Sequence, residues 1–171
     1  DQLTASGNLK QSSAWLDLEV RQGQQRVTAN LAADQLWAQW PSVQATVQGR
    51  NVDPSYLMQD STYAGDLSFQ STVSGQGWYP DTKPWGYKLT MTDSRLMGQP
   101  ISKLRMDGKI SASDAWVDGR LKSREGVLDL AANVQNLSDT PTFKYDLKSR
   151  DFEIAALMGI PNFETALNST I

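Results

Sequence analysis

Three observations predict an all-β fold of antiparallel strands. Apolar residues alternate with polar ones at a period of two through most of the chain, the alternating runs are as long as ordinary strands, and clusters of turn-forming residues separate them. The first run places Leu3, Ala5, Gly7 and Leu9 on one face, and Gln11-Ser12-Ser13 ends it. Leu16, Leu18 and Val20 follow, then the turn Gln22-Gly23-Gln24, then Val27, Ala29, Leu31 and Ala33. The pattern returns in Val43, Ala45, Val47 and Gly49, in Leu67, Phe69, Ser71 and Val73, and in Tyr87, Leu89 and Met91. It continues in Leu104, Met106, Gly108 and Ile110, in Leu128, Leu130, Ala132 and Val134 after Arg124-Glu125-Gly126, and in Phe143, Tyr145 and Leu147. Two segments break the alternation. Asp53 followed by Pro54 offers an N-cap with proline at the first helical position, which predicts a helical turn over 53–58, and Asp151 to Met158 reads as a second one over 151–158, stopped by Gly159-Ile160-Pro161.

Composition removes whole chemistries. The 171 residues include no Cys and no His, which excludes disulfides, thiol catalysis, Cys/His zinc sites and every Ser-His or Cys-His nucleophile pair. With 16 Lys+Arg against 19 Asp+Glu and no basic cluster, nucleic acid is not an expected partner. The longest apolar run, Ile154 to Ile160, is far short of the ~18 residues a transmembrane helix needs. Paired carboxylates at Asp17/Glu19 and Asp151/Glu153 share a strand face as glycosidase acids would, yet Asp53 and Glu153 stand beside a helix start, where a carboxylate serves as a cap. Gly75-Gln76-Gly77 lacks the partners of a phosphate loop and reads as a turn. The expectation is a protein that is not an enzyme and holds neither metal nor cofactor.

Internal repetition is the most informative feature. At an offset of 101, Leu3 falls on Leu104, Gly7 on Gly108, Leu9 on Ile110, Ala14-Trp15 on Ala115-Trp116, Asp17 on Asp118 and Val27 on Leu128. At an offset of 100, Pro41 falls on Pro141, Val47 on Leu147, Arg50 on Arg150, Val52 on Phe152, Asp53 on Glu153, Leu57-Met58 on Leu157-Met158 and Leu67 on Leu167. One deletion in a turn reconciles the offsets. The units are residues 1–101 and a shortened copy over 102–171, and a start at Asp1 without a leader suggests a segment of something longer.

An antiparallel sheet with one apolar face needs a cover, which a second sheet, closure into a barrel, or a guest in a trough can supply. Repetition favours an elongated half-open trough, a β-taco-like sheet whose apolar positions line a groove. The lining candidates are Leu18, Val20, Val27, Leu31, Val47, Leu67, Phe69, Leu89, Met106, Ile110, Leu128, Leu130, Val134, Tyr145 and Leu147. Six tryptophans, Trp15, Trp37, Trp40, Trp78, Trp85 and Trp116, offer an alternative, a β-sandwich carbohydrate-binding module, or an aromatic rim to the groove. Strand parity puts Trp15 and Trp116 on the polar face or at a lip. Arg50 and Arg150 could hold a lipid head group, against the plainer role of pairing with Asp53 or Glu153.

The segment Thr46-Val47-Gln48-Gly49-Arg50-Asn51-Val52-Asp53, repeated as Asp146-Leu147-Lys148-Ser149-Arg150-Asp151-Phe152-Glu153, resembles a recurring segment of the AsmA-like and TamB-like proteins of double-membraned bacteria. Tyr63-Ala64-Gly65-Asp66-Leu67-Ser68-Phe69 running into Val73-Ser74-Gly75-Gln76-Gly77 is similar to that family's strand and Gly-x-Gly turn. Ser94 to Ile101, followed by Leu104-Arg105-Met106-Asp107-Gly108, looks like its connection between repeats. The resemblance implies a periplasmic β-trough tethered to the inner membrane by a separate segment. It implies phospholipid acyl chains as cargo between inner and outer membrane, neighbouring repeats of the same chain as partners, and for one branch an outer-membrane barrel protein whose assembly it aids.

Overall fold

Short turns with left-handed residues dictate a meander. The computed structural model describes residues 2–78, 83–124, 126–137, 139–153 and 166–167. β1 (Gln2–Lys10) turns through Gln11, with φ 54°, into β2 (Ser13–Gln22), and β2 turns through Gly23, with φ 58°, into β3 (Gln25–Asp34). β4 (Ser42–Val52) leads into helix α1 (Pro54–Met58) and a 3-10 turn over Ser61–Tyr63 before β5 (Gly65–Gln76). β6 (Trp85–Leu96) and β7 (Gln99–Ile110) are joined by Met97-Gly98, both at positive φ as a two-residue hairpin demands. β8 (Asp114–Ser123), β9 (Gly126–Gln135) and β10 (Thr142–Arg150) complete the sheet. A separate pair, β11 (Phe152–Glu153) and β12 (Ala166–Leu167), follows.

The ten strands lie in sequence order in one antiparallel sheet, with β1 bonded only to β2 and β10 only to β9 among the described residues, so the sheet is open and is not a barrel. The all-β expectation is met. The sandwich is not: no second sheet covers the ten strands among the described residues. The helical turn expected over 53–58 is present, with the Asp53 carboxylate accepting from the Ser55 N–H and Pro54 opening the helix. The one expected over 151–158 needs correction at its start. Phe152 and Glu153 are extended, because Phe152 pairs with Leu167 as Val52 pairs with Leu67, and in the first unit too the helix begins only at residue 54. Residues 154–158 lie outside the described ones.

Three register shifts bend the sheet at one end of its strands, between Gly49 and Val52, between Asp66 and Phe69, and between Ile101 and Lys103. At two of them the extra residue is an Asx in the left-handed region, Asn51 with φ 52° and Asp93 with φ 46°. The extra residues on β4, β6 and β7 each flip strand parity once, so Val52, Ser94 and Ile101 point to the same side as Gly49, Met91 and Leu104; Leu67 shares that side with Phe69 by ordinary alternation, and all four are buried. Buried Ser94 also repairs the break: its hydroxyl accepts from the Ser68 N–H at 2.9 Å and donates to the Thr92 carbonyl at 3.0 Å.

Backbone features recur at the offsets read from the sequence. Asn51 and Asp151 are both left-handed, as are Gln35 and Asn136, and the bond from the Leu36 N–H to the Ser12 carbonyl has its counterpart from Leu137 to Ser113. Three rings lie against cross-strand glycines, in the space a β-carbon there would need: Phe69 at Gly49, Trp85 at Gly75 and Tyr87 at Gly108. Burial accordingly pushes the Tyr87 phenol above its ordinary pKa. A β-carbon at Gly108 would enter the Tyr87 ring and stand 2.6 Å from the Trp116 carbonyl oxygen, which cannot rotate away. Gly108→Val is therefore expected to destabilise the fold by about 1–3 kcal/mol, read as a lowered urea midpoint with an unchanged m-value.

Candidate functional site

Following the register across the sheet shows one face to be apolar throughout. A first transverse row runs Ala5, Leu18, Ala29, Val47, Ser71, Leu89, Met106, Gly119, Leu130 and Leu147. Toward the bulged end, a second runs Leu3, Val20, Val27, Gly49, Phe69, Met91, Leu104, Leu121 and Leu128, closing on Ser149. On the other side a third joins Gly7, Leu16, Leu31, Ala45, Val73, Tyr87, Gly108, Val117, Ala132 and Tyr145. A fourth includes Leu9, Ala14, Ala33 and Val43 in the first unit and Ile110, Ala115, Val134 and Phe143 in the second, with Trp85 between.

Fourteen of the fifteen lining candidates fall on these rows: Leu18, Val47, Leu89, Met106, Leu130 and Leu147 on the first, Val20, Val27, Phe69 and Leu128 on the second, Leu31 and Tyr145 on the third, Ile110 and Val134 on the fourth. None of these fourteen is fully buried, and Leu18, Val20, Leu31, Ile110 and Tyr145 are exposed. Leu67 differs. It shares the face but is buried beyond the bulge, beside Val52, and belongs to a closed end. Strand parity already set Val117 and Leu121 opposite Trp116, but the lining candidates left out the β8 contribution, Ala115, Val117, Gly119 and Leu121, which alternates with outward Trp116, Asp118 and Arg120. The candidates also left out Trp85, whose ring lies against Gly75 on the apolar face.

The two sets of strand ends differ. At one, the β3–β4 and β5–β6 connections bring Trp37, Trp40 and Trp78 to the same side as Trp85, with Trp37 donating its indole N–H to the Gln11 carbonyl at 3.1 Å. At the other sits α1, tied by Asp53. That carboxylate accepts from Ser55 at 3.0 Å and from Gly65 at 3.2 Å, while the Asp53 N–H donates to the Gln25 side chain at 3.2 Å. The expected pairing of Arg50 with Asp53 is absent among the described residues: the carboxylate is already occupied by backbone amides, and exposed Arg50 instead lies across from Arg26.

The opposite face is polar and laced with ion pairs. Glu19 accepts from Arg21 and from Arg26, and these bonds hold its carboxyl below the usual range. Arg105 pairs with Asp107 at 2.8 Å and Lys148 with Asp146 at 2.8 Å, so each cation is held above its ordinary pKa. Asp17 accepts from Asn30 across the strands. The Asp17/Glu19 pair is thus engaged with surface partners on this face. Trp15 and Trp116 are here too, as parity predicts, each flanking a hollow. One, of about 340 Å³, is lined by Trp15, Asp17, Asn30, Ala32, Gln44 and Thr46; the other, of about 360 Å³, by the repeat counterparts Trp116, Asp118, Ala131, Asn133, Lys144 and Asp146. Beside Trp116 the Asn133 Oδ1 and Asp146 Oδ1 atoms are enclosed without a hydrogen-bond donor.

No group of acidic residues able to hold a metal occurs among the described residues, and no described helix is long and apolar enough to cross a membrane. Comparison of the chain with protein-family models, with curated proteins and with solved structures finds no match.

The cap at Asp53 carries a pH prediction. Its hydrogen bonds, first of all that from the Ser55 N–H, lower its pKa below the ordinary 3.8. A folded value below the unfolded one adds stability that is complete above the unfolded pKa and disappears as pH falls through the folded one. Asp53→Asn, which keeps an acceptor but no charge, should melt below the native chain by an amount that is constant above about pH 5 and shrinks on further acidification. Thermal melts of both forms at stepped pH check it.

Proposed function

We propose that this chain is a carrier segment for lipid acyl chains, held along the apolar face of the sheet within a periplasmic bridge between two membranes. One observation supports the reading above all: ten consecutive strands keep a four-row apolar face turned to one side, and between its two closed ends, where Ala33 and Val43 and, opposite, Val52, Leu67 and Ile101 are buried, most of its side chains stay partly or fully exposed among the described residues. A monomer rarely leaves so large a contiguous apolar surface without an occupant. Along a strand, each side chain on this face lies about 6.6 Å from the next, so four rows span roughly 20 Å. Each methylene laid on such a face gains about 0.8 kcal/mol, and adjacent rows offer nearly equal surroundings, so cargo is retained yet can shift along the sheet. Such a mechanism is passive and needs no catalytic group. The resemblance to the AsmA-like and TamB-like proteins adds the membrane setting, the repeat organisation over 1–101 and 102–171, and the outer-membrane barrel partner as parts of the same proposal.

Native mass spectrometry of the chain recovered from a bacterial envelope should give a stoichiometric phospholipid adduct. Leu130→Asp, which puts a carboxylate in an inner row at a partly buried position, should lower the melting temperature but keep a cooperative transition, and weaken a fluorescent fatty-acid probe by at least about tenfold. A cooperatively folded chain with a clean unliganded mass would sink the reading.

A second reading has its own observation. The hollows beside Trp15 and Trp116 recur on the polar face at equivalent positions, about 29 Å apart over six strand spacings, and the unpaired Asn133 and Asp146 oxygens suit a donor-rich ligand such as a sugar stacked on the indole. Under that reading Trp116→Ala abolishes retention on a glycan array while Leu130→Asp leaves it intact. Under the lipid reading the two variants trade places.

A further inference from the structure

Charges on the polar face are sorted rather than mixed. Cross-strand register sets Arg26 directly opposite Arg50, Lys103 opposite Lys122 and Arg105 opposite Arg120, while Asp107 stands opposite Asp118. Like charges facing each other across neighbouring strands are destabilising, and a surface shaped only for solubility intersperses the two signs. The cations gather toward the bulged end of the strands, together with Arg21, which lies across from Arg26. All of them stand on β2, β3, β4, β7 and β8, strands bonded on both sides, so the grouping does not depend on the edges of the sheet.

The arginines of this group are short of acceptors. One carboxylate, Glu19, serves both Arg21 and Arg26. Arg26 reaches it through Nη2 at 3.0 Å, and its Nε is enclosed with no hydrogen-bond partner. Arg50, Lys103 and Lys122 are exposed and have no acidic partner among the described residues. Toward the same end Asp66 lies opposite Arg95, and Asp93 is the bulge residue of β6. Beside Arg50 the strands leave a hollow of about 320 Å³. Its polar lining is Gln48, Arg50, Ser68, Gln70, Thr90 and Thr92: one guanidinium, two amides, three hydroxyls and no carboxylate. Each of these groups can donate a hydrogen bond.

We infer that Arg26 and Arg50 hold a phosphate group between them, with the polar remainder of its carrier in the adjoining hollow. A phosphate monoester carries close to two negative charges at pH 7, which matches two facing guanidinium groups, whereas a carboxylate brings one. Its oxygens supply the acceptor that the Arg26 Nε lacks and an ionic partner for Arg50. Binding thereby turns a repulsive cross-strand pair into a clamp. The site lies on the face away from the apolar rows, and the inference goes beyond acyl-chain carriage and does not depend on it.

Titration of the full chain with inorganic phosphate at constant ionic strength, followed by the arginine Nε–Hε resonances, should shift Arg26 and Arg50 together and saturably, with a Kd of about 1 mM. Arg50→Gln should weaken this binding at least about tenfold; because it removes a facing like charge, its melting temperature without phosphate should be no lower than native. Lys88→Gln, on the same face but opposite Asp107, should bind phosphate as the native chain does. The same phosphate chemistry occurs on soluble esters and on phospholipid head groups. Competition by glycerol phosphate without vesicle binding assigns the site to a soluble phosphorylated ligand, and Arg50-dependent co-flotation with phosphatidylcholine vesicles containing phosphatidic acid assigns it to a head group. No saturable phosphate binding, equal binding by Arg50→Gln, or a shift spread evenly over all the arginines would each overturn the proposal.

Discussion

Strand parity governs this molecule. A slip of one residue in any pairing would carry a whole strand's apolar set to the wet side, so the ten strands can share one apolar face only if each register is held to the residue. Where the strands twist through bulges, the extra residue would invert everything beyond it, and the chain meets this by letting the bulge restore the side. Asn51 absorbs the additional step between Gly49 and Val52, and Asp93 the one between Met91 and Ser94. Both adopt a left-handed conformation that Asx tolerates better than most side chains. Without them Val52 and Ser94 would face water and the closed end near α1 would lose its buried residues.

That constraint gives the recurring segment over 46–53 and 146–153 a physical meaning. In the first copy its Asx, Asn51, is the bulge residue, Val52 after it is the one returned to the inner face, and Asp53 caps the helix. A pattern of residue types that looked loose as text is a short program for ending a strand, turning it inward and starting a helix. In the second copy Asp151 is likewise left-handed and the Phe152 backbone pairs with Leu167 at the place where Val52 pairs with Leu67.

Much of the fold was legible because period-two alternation reports face directly, and the repeat offsets match positions of one unit with those of the other. Fourteen lining residues could be named for that reason, and Trp15 and Trp116 could be put on the opposite side. Other features depend on neighbours that sequence does not place together. Leu67 belongs to the inner face by parity, yet whether it is open depends on Val52 and the bulge beside it. The rings over Gly49, Gly75 and Gly108 need cross-strand register before either partner means anything. Arg50 seemed a partner for Asp53 because they are close in sequence, whereas the capped helix start claims that carboxylate for the Ser55 and Gly65 amides.

The two faces then divide the work of the molecule. On the polar side, cross-strand pairs such as Glu19 with Arg26 and Arg120 with Asp129 keep the sheet solvated and add little to stability singly, because exposed pairs are screened. On the apolar side, the Phe69, Trp85 and Tyr87 rings take up the space that a β-carbon on the facing Gly49, Gly75 or Gly108 would need, so large rings and glycines match across neighbouring strands. A core packed between two layers would need interdigitating side chains of matched volume, and substitution there would be felt at once. A smooth single-layer face asks for something else: uniform polarity over a long distance, with small residues such as Ala29, Ala45 and Gly119 as acceptable as leucine. The rows accordingly mix Gly, Ala and Ser with Leu, Met and aromatic residues, as a face with no sheet interdigitating into it allows.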